Sequence, residues 1–217
     1  MSTDTRSAIL TAAERLYAAR GFSEVTLRDI VAEAGVNLAA VNYHFGSKDE
    51  LITELFVSRS LATNRERLNE LKAAEAAGGG RAPIEEVLRA LVGPTLRGCL
   101  GPDQQRSDAA RFMIRASIEA IAPIRAIKNR EVDHLRKFAA ALRRALPALP
   151  EVEIFWGLHF ALAMAHHTIR DSERLQKLSD GRCDLNDVDG VIDRVVAVAA
   201  LALAAKADKP ARRHRPA

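Results

Sequence analysis

The sequence predicts an all-α fold, with an N-terminal helix-turn-helix unit of three helices followed by a larger helical bundle. Two observations carry this. Alanine and leucine dominate a chain that is 48% apolar, 28% charged and only 5% aromatic, and its β-branched runs are short. Glycine and proline fall at helix-length intervals, several with a capping residue beside them. At 217 residues the chain has room for one large domain or two small ones.

The elements follow in order. "TRSAILTAAERLYAARGF" (5–22) places Ile9, Ala13, Leu16 and Tyr17 on one helical face. It stops at Gly21, with Phe22 as the hydrophobic contact that usually follows a helix-ending glycine. A second helix opens at Thr26, whose partner Asp29 completes a capping box, and runs through Ile30 and Val31 to Ala34 before Gly35. A third, short helix begins after Asn37, a good N-cap, and breaks at Gly46. Ser47 with Glu50 forms another capping signature. It starts a long helix from Lys48 to about Ala77, with Leu51, Leu55, Leu61, Leu68 and Leu71 as an imperfect apolar stripe. "GGGRAP" (78–83) is a loop. Helices are expected at about 83–99, 104–120, 123–146, 150–172 and 187–206, with Pro123 and Pro150 in first-turn positions. The expected organisation is residues 1–50 as the helix-turn-helix domain, 51–206 as a sensing and dimerisation domain, and 207–217 as a basic disordered tail.

Composition excludes several classes. The most apolar run, "VVAVAALALAA" (195–205), falls short of the roughly 18 residues a membrane span requires. The N-terminus lacks a basic segment followed by an apolar one, so no secretory signal is expected and the cytoplasm is the expected location. Cys99 and Cys183 are far apart without ligand-like neighbours, which argues against a disulfide framework or a zinc site. The net charge of +4 sits in the tail: the last twelve residues hold five of the 32 Lys/Arg and one of the 28 Asp/Glu, leaving 27 of each sign in the body. The first 50 residues carry five Lys/Arg against seven Asp/Glu, so any attraction to nucleic acid there must be local or come from the tail. No nucleophile motif, Gly-rich phosphate loop or isolated carboxylate pair stands out, so no enzyme is expected. His159 and His166 share a helix face about two turns apart with no carboxylate or cysteine at metal spacing, so no metal site is expected.

The stretch "AGVNLAAVNYHFGSKDEL" (34–51) is the most informative. Helix, glycine-centred turn and short helix over 26–45 make a helix-turn-helix. Gly35 permits the backbone conformation of the tight turn, while Ile30, Ala34, Val36 and Val41 are apolar where two crossing helices touch. The second helix presents its N-terminal residues toward a major groove. Asn37, Asn42, Tyr43, His44 and Lys48 supply donors for phosphates or base edges, and Leu38, Ala39 and Ala40 offer apolar contacts suited to thymine methyls. Arg28 either reaches DNA or pairs with Glu24 or solvent; Phe45 is read as a core aromatic.

"TLRDIVAEAGVNLAAVNYHFGSKDEL" (26–51), preceded by "ILTAAERLYAARGF" (9–22), resembles the N-terminal domain of the TetR family of bacterial transcriptional regulators, helix by helix over about the first 55 residues. The rest of the chain is similar in size and all-α character. The resemblance implies that Thr26 lies near a phosphate, that residues 37–43 enter the major groove, and that His44 and Lys48 contact phosphate at its edge. Position 37 is more often Ser or Thr in the family and position 42 more often Tyr; here both are Asn. Asn37 can still cap its helix, Asn42 has the geometry to read adenine bidentately, and Tyr43 is the candidate to take over the phosphate contact. The two asparagines resemble a subgroup that includes fatty-acid-responsive repressors.

A regulator needs a sensor. "RFMIRASIEAIAPI" (111–124), "HLRKFAAALRRAL" (134–146) and "EIFWGLHFALAMAHHTI" (153–169) supply Phe112, Phe138, Trp156, Phe160 and Met164 as candidate walls of an apolar pocket, with Arg115 and His159 as its polar groups. A plain packed core is the alternative for each. The final helix, with Ile192, Val195, Val196, Val198, Ala199, Leu201 and Ala202, is apolar around much of its circumference, which marks a central or interface helix. The resemblance adds a homodimer through the last two helices. Two recognition helices would then meet a palindromic operator on double-stranded DNA, without a membrane partner.

The expectation is a ligand-responsive repressor released from its operator by a small, largely apolar effector, an acyl chain or acyl-CoA, with no cofactor. The alternatives are an activator or a ligand-independent regulator of the same fold and, from other classes, a helical enzyme or a dimeric scaffold.

Overall fold

The computed structural model describes residues 2–101, 107–119 and 121–207. Among the described residues every regular element is an α-helix: α1 Ser2–Arg20, α2 Leu27–Ala34, α3 Leu38–Phe45, α4 Lys48–Ala77, α5 Ile84–Cys99, α6 Asp108–Ile118, α7 Ala122–Arg130, α8 Asp133–Ala145, α9 Glu151–Arg170, α10 Ser172–Leu178 and α11 Val188–Ala207. Residues 208–217 of the expected tail lie outside the described residues.

The N-terminal helices start and stop where side chains and glycines dictate. Gly21 is left-handed, at φ 86°, and its N–H closes α1 on the Tyr17 carbonyl at 2.9 Å. Thr26 and Asp29 make the reciprocal capping box at the start of α2. Asn37 caps α3, and Ser47 caps α4 by accepting from the Glu50 N–H at 3.1 Å. α4 buries Leu51, Leu55 and Leu71, and Leu68 is partly buried. Leu61 is exposed. Six positions past Leu55, it lies about a third of a turn off the stripe.

Two apolar cores organise the chain. The first gathers Ile9, Tyr17, Phe22, Ile30, Val41, Leu51 and Phe56, together with Phe112 and Ala116 of α6 and Ile124 and Ile127 of α7. The second is built from α5, α8, α9 and α11 around Leu91, Phe138, Leu142, Ile154 and Ile192. The core therefore does not divide at residue 50: the first turns of α4 belong to the N-terminal core, and α6 and α7 pack onto it.

This division also explains a break. One helix is expected over 123–146, yet the chain kinks at Glu131–Val132 between α7 and α8. α7 buries Ile124 and Ile127 in the first core, while α8 buries Phe138 and Leu142 in the second. A straight helix cannot serve both, and no glycine or proline announces the turn. The helix expected from 104 begins instead at Asp108, where Ser107 Oγ accepts from the Ala110 N–H at 3.2 Å. The helix expected over 150–172 ends at Arg170, and the short α10 follows it. α5 contains Gly93 and Pro94, both buried. Pro94 has no N–H to bond the carbonyl four residues back, which weakens the helix there.

Candidate nucleic-acid interface and effector cavity

The helix-turn-helix is held from beneath and presented outward. Gly35 adopts the left-handed conformation at φ 65°, and the Val36 N–H bonds the Val31 carbonyl at 3.0 Å, closing α2 and turning the chain into α3. Ile30 and Val41, each at 0% exposure, pin the two helices together. Arg15 of α1 pairs with Glu33 of α2.

The polar residues of α3 lie on the other side. Asn37 Oδ1 accepts from the Ala40 N–H at 2.9 Å, which leaves its NH2 group to donate elsewhere. Leu38, Ala39, Asn42 and Tyr43 are exposed and Ala40 is half-buried. Tyr43 is 85% exposed, far more than a core aromatic would be, and packs edge-on against His44 with ring centroids 5.0 Å apart. Phe45 is buried. Arg28 is exposed and forms no ion pair among the described residues.

Two candidates are already engaged within the domain. The Thr26 hydroxyl donates to Asp29 Oδ2 at 2.6 Å, and that bond holds the Asp29 carboxyl below its ordinary range. Lys48 Nζ donates to the Phe22 carbonyl at 2.8 Å and lies 5.9 Å from the centre of the Tyr17 ring. Lys48 thus ties α4 to the turn after α1.

Two cavities open in the other half. The larger, about 1260 Å³, is walled by α4 from Phe56 to Leu68 and by the end of α5. α6, α7, α8 and α9 contribute Met113, Ile127, Leu135 and Leu162. The smaller, about 980 Å³, lies between α6 and the α9–α10 corner and includes Arg111, Arg115 and Arg170.

The structure does not bring together the seven residues expected around an effector. Phe112 is fully buried in the N-terminal core, 5.4 Å from Phe22 in an edge-to-face contact. Arg115 reaches the Ala19 carbonyl at 3.4 Å and Glu119 at 3.5 Å, beside the smaller cavity. Phe138 is fully buried in the second core, and Met164 is partly buried against that core. Trp156, His159 and Phe160 lie on the outer face of α9, where Trp156 stacks on Phe160 at 5.4 Å and meets His159 edge-on at 5.8 Å. The aromatic-rich segment of α9 turns its aliphatic residues, Ile154, Leu158, Ala161, Ala165 and Ile169, inward instead.

The larger cavity holds groups that the aromatic pattern did not mark. Arg67 is only 7% exposed. Its Nη1 donates to Asn64 Oδ1 at 3.1 Å and its Nη2 to Thr95 Oγ1 at 2.6 Å, while its Nε has no partner. His134, half-buried, and His166, whose side chain still meets solvent, both line this cavity, and loss of water around the rings with nearby positive charge pushes each down to about 4. One sequence signal for Arg67 exists: it stands four residues before Leu71, on the buried stripe of α4. Among the described residues no His/Cys/Asp/Glu group could hold a metal ion, and no helix is long and apolar enough to cross a membrane. Cys99 is buried and Cys183 exposed, with no disulfide between them.

Residues 9–55 match the family model for bacterial regulatory proteins of the tetR family, and residues 89–201 match that for the Tetracyclin repressor-like C-terminal domain. The chain belongs to the TetR family. That family consists of DNA-binding transcription regulators and not of enzymes. The HTH-type transcriptional regulator TtgR of Pseudomonas putida is 44% identical over 55 residues, 25% of this chain and 26% of that protein. The match thus spans about a quarter of the relative's length. A TetR family transcription regulator from Marinobacter aquaeolei VT8 shares the fold over 93% of this chain and 96% of its own, with a TM-score of 0.62 at 17% identity. A putative tetR family transcription regulator from Shewanella sp. PV-4 does so over 92% and 97%, with a TM-score of 0.60 at 16% identity.

Proposed function

We propose that this TetR-family chain is a homodimeric, sequence-specific repressor that leaves its operator when a small, largely apolar effector, an acyl compound being the first candidate, enters the larger cavity. The observation that carries this is the placement of α6. Ala109, Ala110 and Met113 line the cavity, whereas Phe112 and Ala116 are buried in the core beneath the helix-turn-helix. α4 is shared in the same way: Leu51, Leu55 and Phe56 belong to that core, and its next three turns wall the cavity. A ligand that favours one seating of α6 and α4 therefore shifts the DNA-binding unit, by as much as its affinities for the two seatings differ.

DNA contact is assigned to Asn37, Leu38, Ala39, Ala40, Asn42 and Tyr43, with His44 and Arg28 at the phosphates. The dimer is assigned to the exposed face made by Val152, Phe155, Trp156 and Phe160 of α9 with Val198 and Leu201 of α11. Gly157 lets those two helices approach, since a Cβ there would collide with the side chain of Leu203. Such a dimer would carry two recognition helices to the half-sites of a palindromic operator in the cytoplasm.

The test is a titration of the DNA upstream of the protein's own gene against a scrambled duplex of equal length at one stated salt. The expected result is tighter binding to the native fragment by about three decades or more, and release on adding the effector. Equal binding to both duplexes overturns the operator assignment.

A further inference from the structure

The cavity is apolar over most of its wall, but it contains a buried cation with no carboxylate within ion-pair distance among the described residues. Arg67 uses two of its five N–H groups, on the neutral acceptors Asn64 Oδ1 and Thr95 Oγ1. A buried charge is ordinarily ion-paired, because its desolvation is otherwise uncompensated. Of the carboxylates that border the cavity only Glu66 makes its charge felt at Arg67, and each of them is paired with another arginine. Glu66 lies 3.4 Å from Arg97, Glu131 lies 3.1 Å from Arg130, and Asp133 lies 3.0 Å from Arg136. Arg59, on the same wall, is held by Glu14 of α1.

Further positive charge gathers on this side. Lys128 of α7 lines the cavity and sits 5.6 Å over the Phe56 ring. Both Lys128 and Arg67 act on His166, and Arg67 acts on His134, so the four groups share one region of positive potential. Val57, Leu61, Leu68, Ile127, Leu135 and Leu162 supply the apolar wall beside it.

We infer that the larger cavity is built for an organic monoanion, a carboxylate on an apolar body, whose head group is held by Arg67 with Lys128 beside it and whose body lies against the α4, α7, α8 and α9 wall. This rests on reading the cavity as the effector site. It adds that the effector carries negative charge and names the residue that reads that charge. A guanidinium fixed by two neutral acceptors is oriented in advance, so a carboxylate meets a fork already in place. An alcohol of equal length fills the apolar wall but leaves Arg67 without its counter-charge.

The test uses the full-length chain and two matched probes, decanoate and decan-1-ol, titrated by calorimetry into the wild type, Arg67→Gln and Arg67→Lys. Decanoate is expected to bind about tenfold or more tightly than decan-1-ol, as a charge-assisted hydrogen bond implies. Arg67→Gln should erase that preference, chiefly by weakening decanoate, and Arg67→Lys should retain part of it. Equal affinity of the two probes for the wild type, no binding of either, or an undiminished preference in Arg67→Gln overturns the inference. The wild-type comparison stands even if a variant fails to fold. Operator release is read in parallel. Decanoate bound through Arg67 without release keeps the anion site and removes the effector reading. Release by both probes alike keeps the effector reading and removes the anion site.

Discussion

The Glu119 carboxylate accepts a hydrogen bond from the Phe22 backbone N–H at 2.9 Å, across 97 positions of sequence. It joins the end of α6 to the turn after α1. The turn is shaped to receive it. Gly21 is left-handed, and a Cβ there would stand 2.6 Å from Glu119 Oε1. Arg115 bridges the same place, reaching Glu119 and the last turn of α1. One turn further back on α6, Phe112 packs against Tyr17 and Phe22. The cavity-lining helix is thus fastened to the DNA-binding unit by backbone, carboxylate and ring contacts together.

Cutting that fastening should cost stability and loosen coupling. Glu119→Ala leaves the half-buried Phe22 amide without its acceptor, at an expected cost of about 1–3 kcal/mol. Gly21→Ala forces a side chain into a left-handed turn and against Glu119, for a loss of about 1 kcal/mol or more. Urea unfolding of both variants checks this. Glu119→Gln, which keeps an acceptor, should recover most of the loss. If Glu119→Ala unfolds at the wild-type midpoint, the bond contributes nothing to the fold.

Asn42 and Lys48 should part company in DNA titrations. Asn42 is exposed on α3, free to meet a base edge, so Asn42→Ala is expected to weaken native-fragment binding by about 5- to 150-fold and scrambled-duplex binding hardly at all. Lys48 is tied to the Phe22 carbonyl, so Lys48→Met should lower the unfolding midpoint and change the salt slope of DNA binding by less than about one. A full unit of lost slope with unchanged stability would assign Lys48 to phosphate instead.

The DNA-binding unit was legible in the sequence because its signals are local. Thr26–Asp29, Asn37, Gly21 and Gly35 fix helix ends within four residues of themselves, and the structure has each of those ends in place. The break at 131–132 was not legible, because it answers to two separate cores rather than to a breaker residue. The cavity was hidden for a related reason. Large aromatics were its expected walls, but Phe112 and Phe138 filled cores and Trp156 and Phe160 faced outward. The walls come instead from middle-sized side chains of helices α4 to α9 and a buried arginine, whose convergence depends on tertiary packing that no single segment encodes.

The outer face of α9 and α11 should behave as an interface. Leu201 is 72% exposed in the single chain, beside Val198 and the α9 aromatics. Leu201→Glu places a charge where a two-fold partner would be buried, and the same charge appears twice in a symmetric contact. Sedimentation should show the variant as monomers at concentrations where the wild type is dimeric, with native-fragment binding reduced to the level of the scrambled duplex. An unchanged sedimentation coefficient moves the interface elsewhere.

Acid should destabilise the chain through the cavity histidines. His134 and His166 are both pushed from an ordinary 6.5 to about 4, first by desolvation against the cavity wall. Positive charge adds to this: Arg67 for His134, and Lys128 with Arg67 for His166. Their folded values lie below the unfolded one. Between the two values the unfolded chain binds more protons than the folded chain, so stability falls as pH drops from about 6.5 to about 4 and is fully present above that window. Urea midpoints measured from about pH 7 down to about pH 5 should decline. His166→Gln takes one proton out of the balance and should flatten the decline. Arg67→Gln should flatten it by another route: with the guanidinium gone, both histidines rise toward their ordinary value and the window narrows from below. If His166→Gln declines as steeply as the wild type, protonation of this cavity is not what couples the fold to pH.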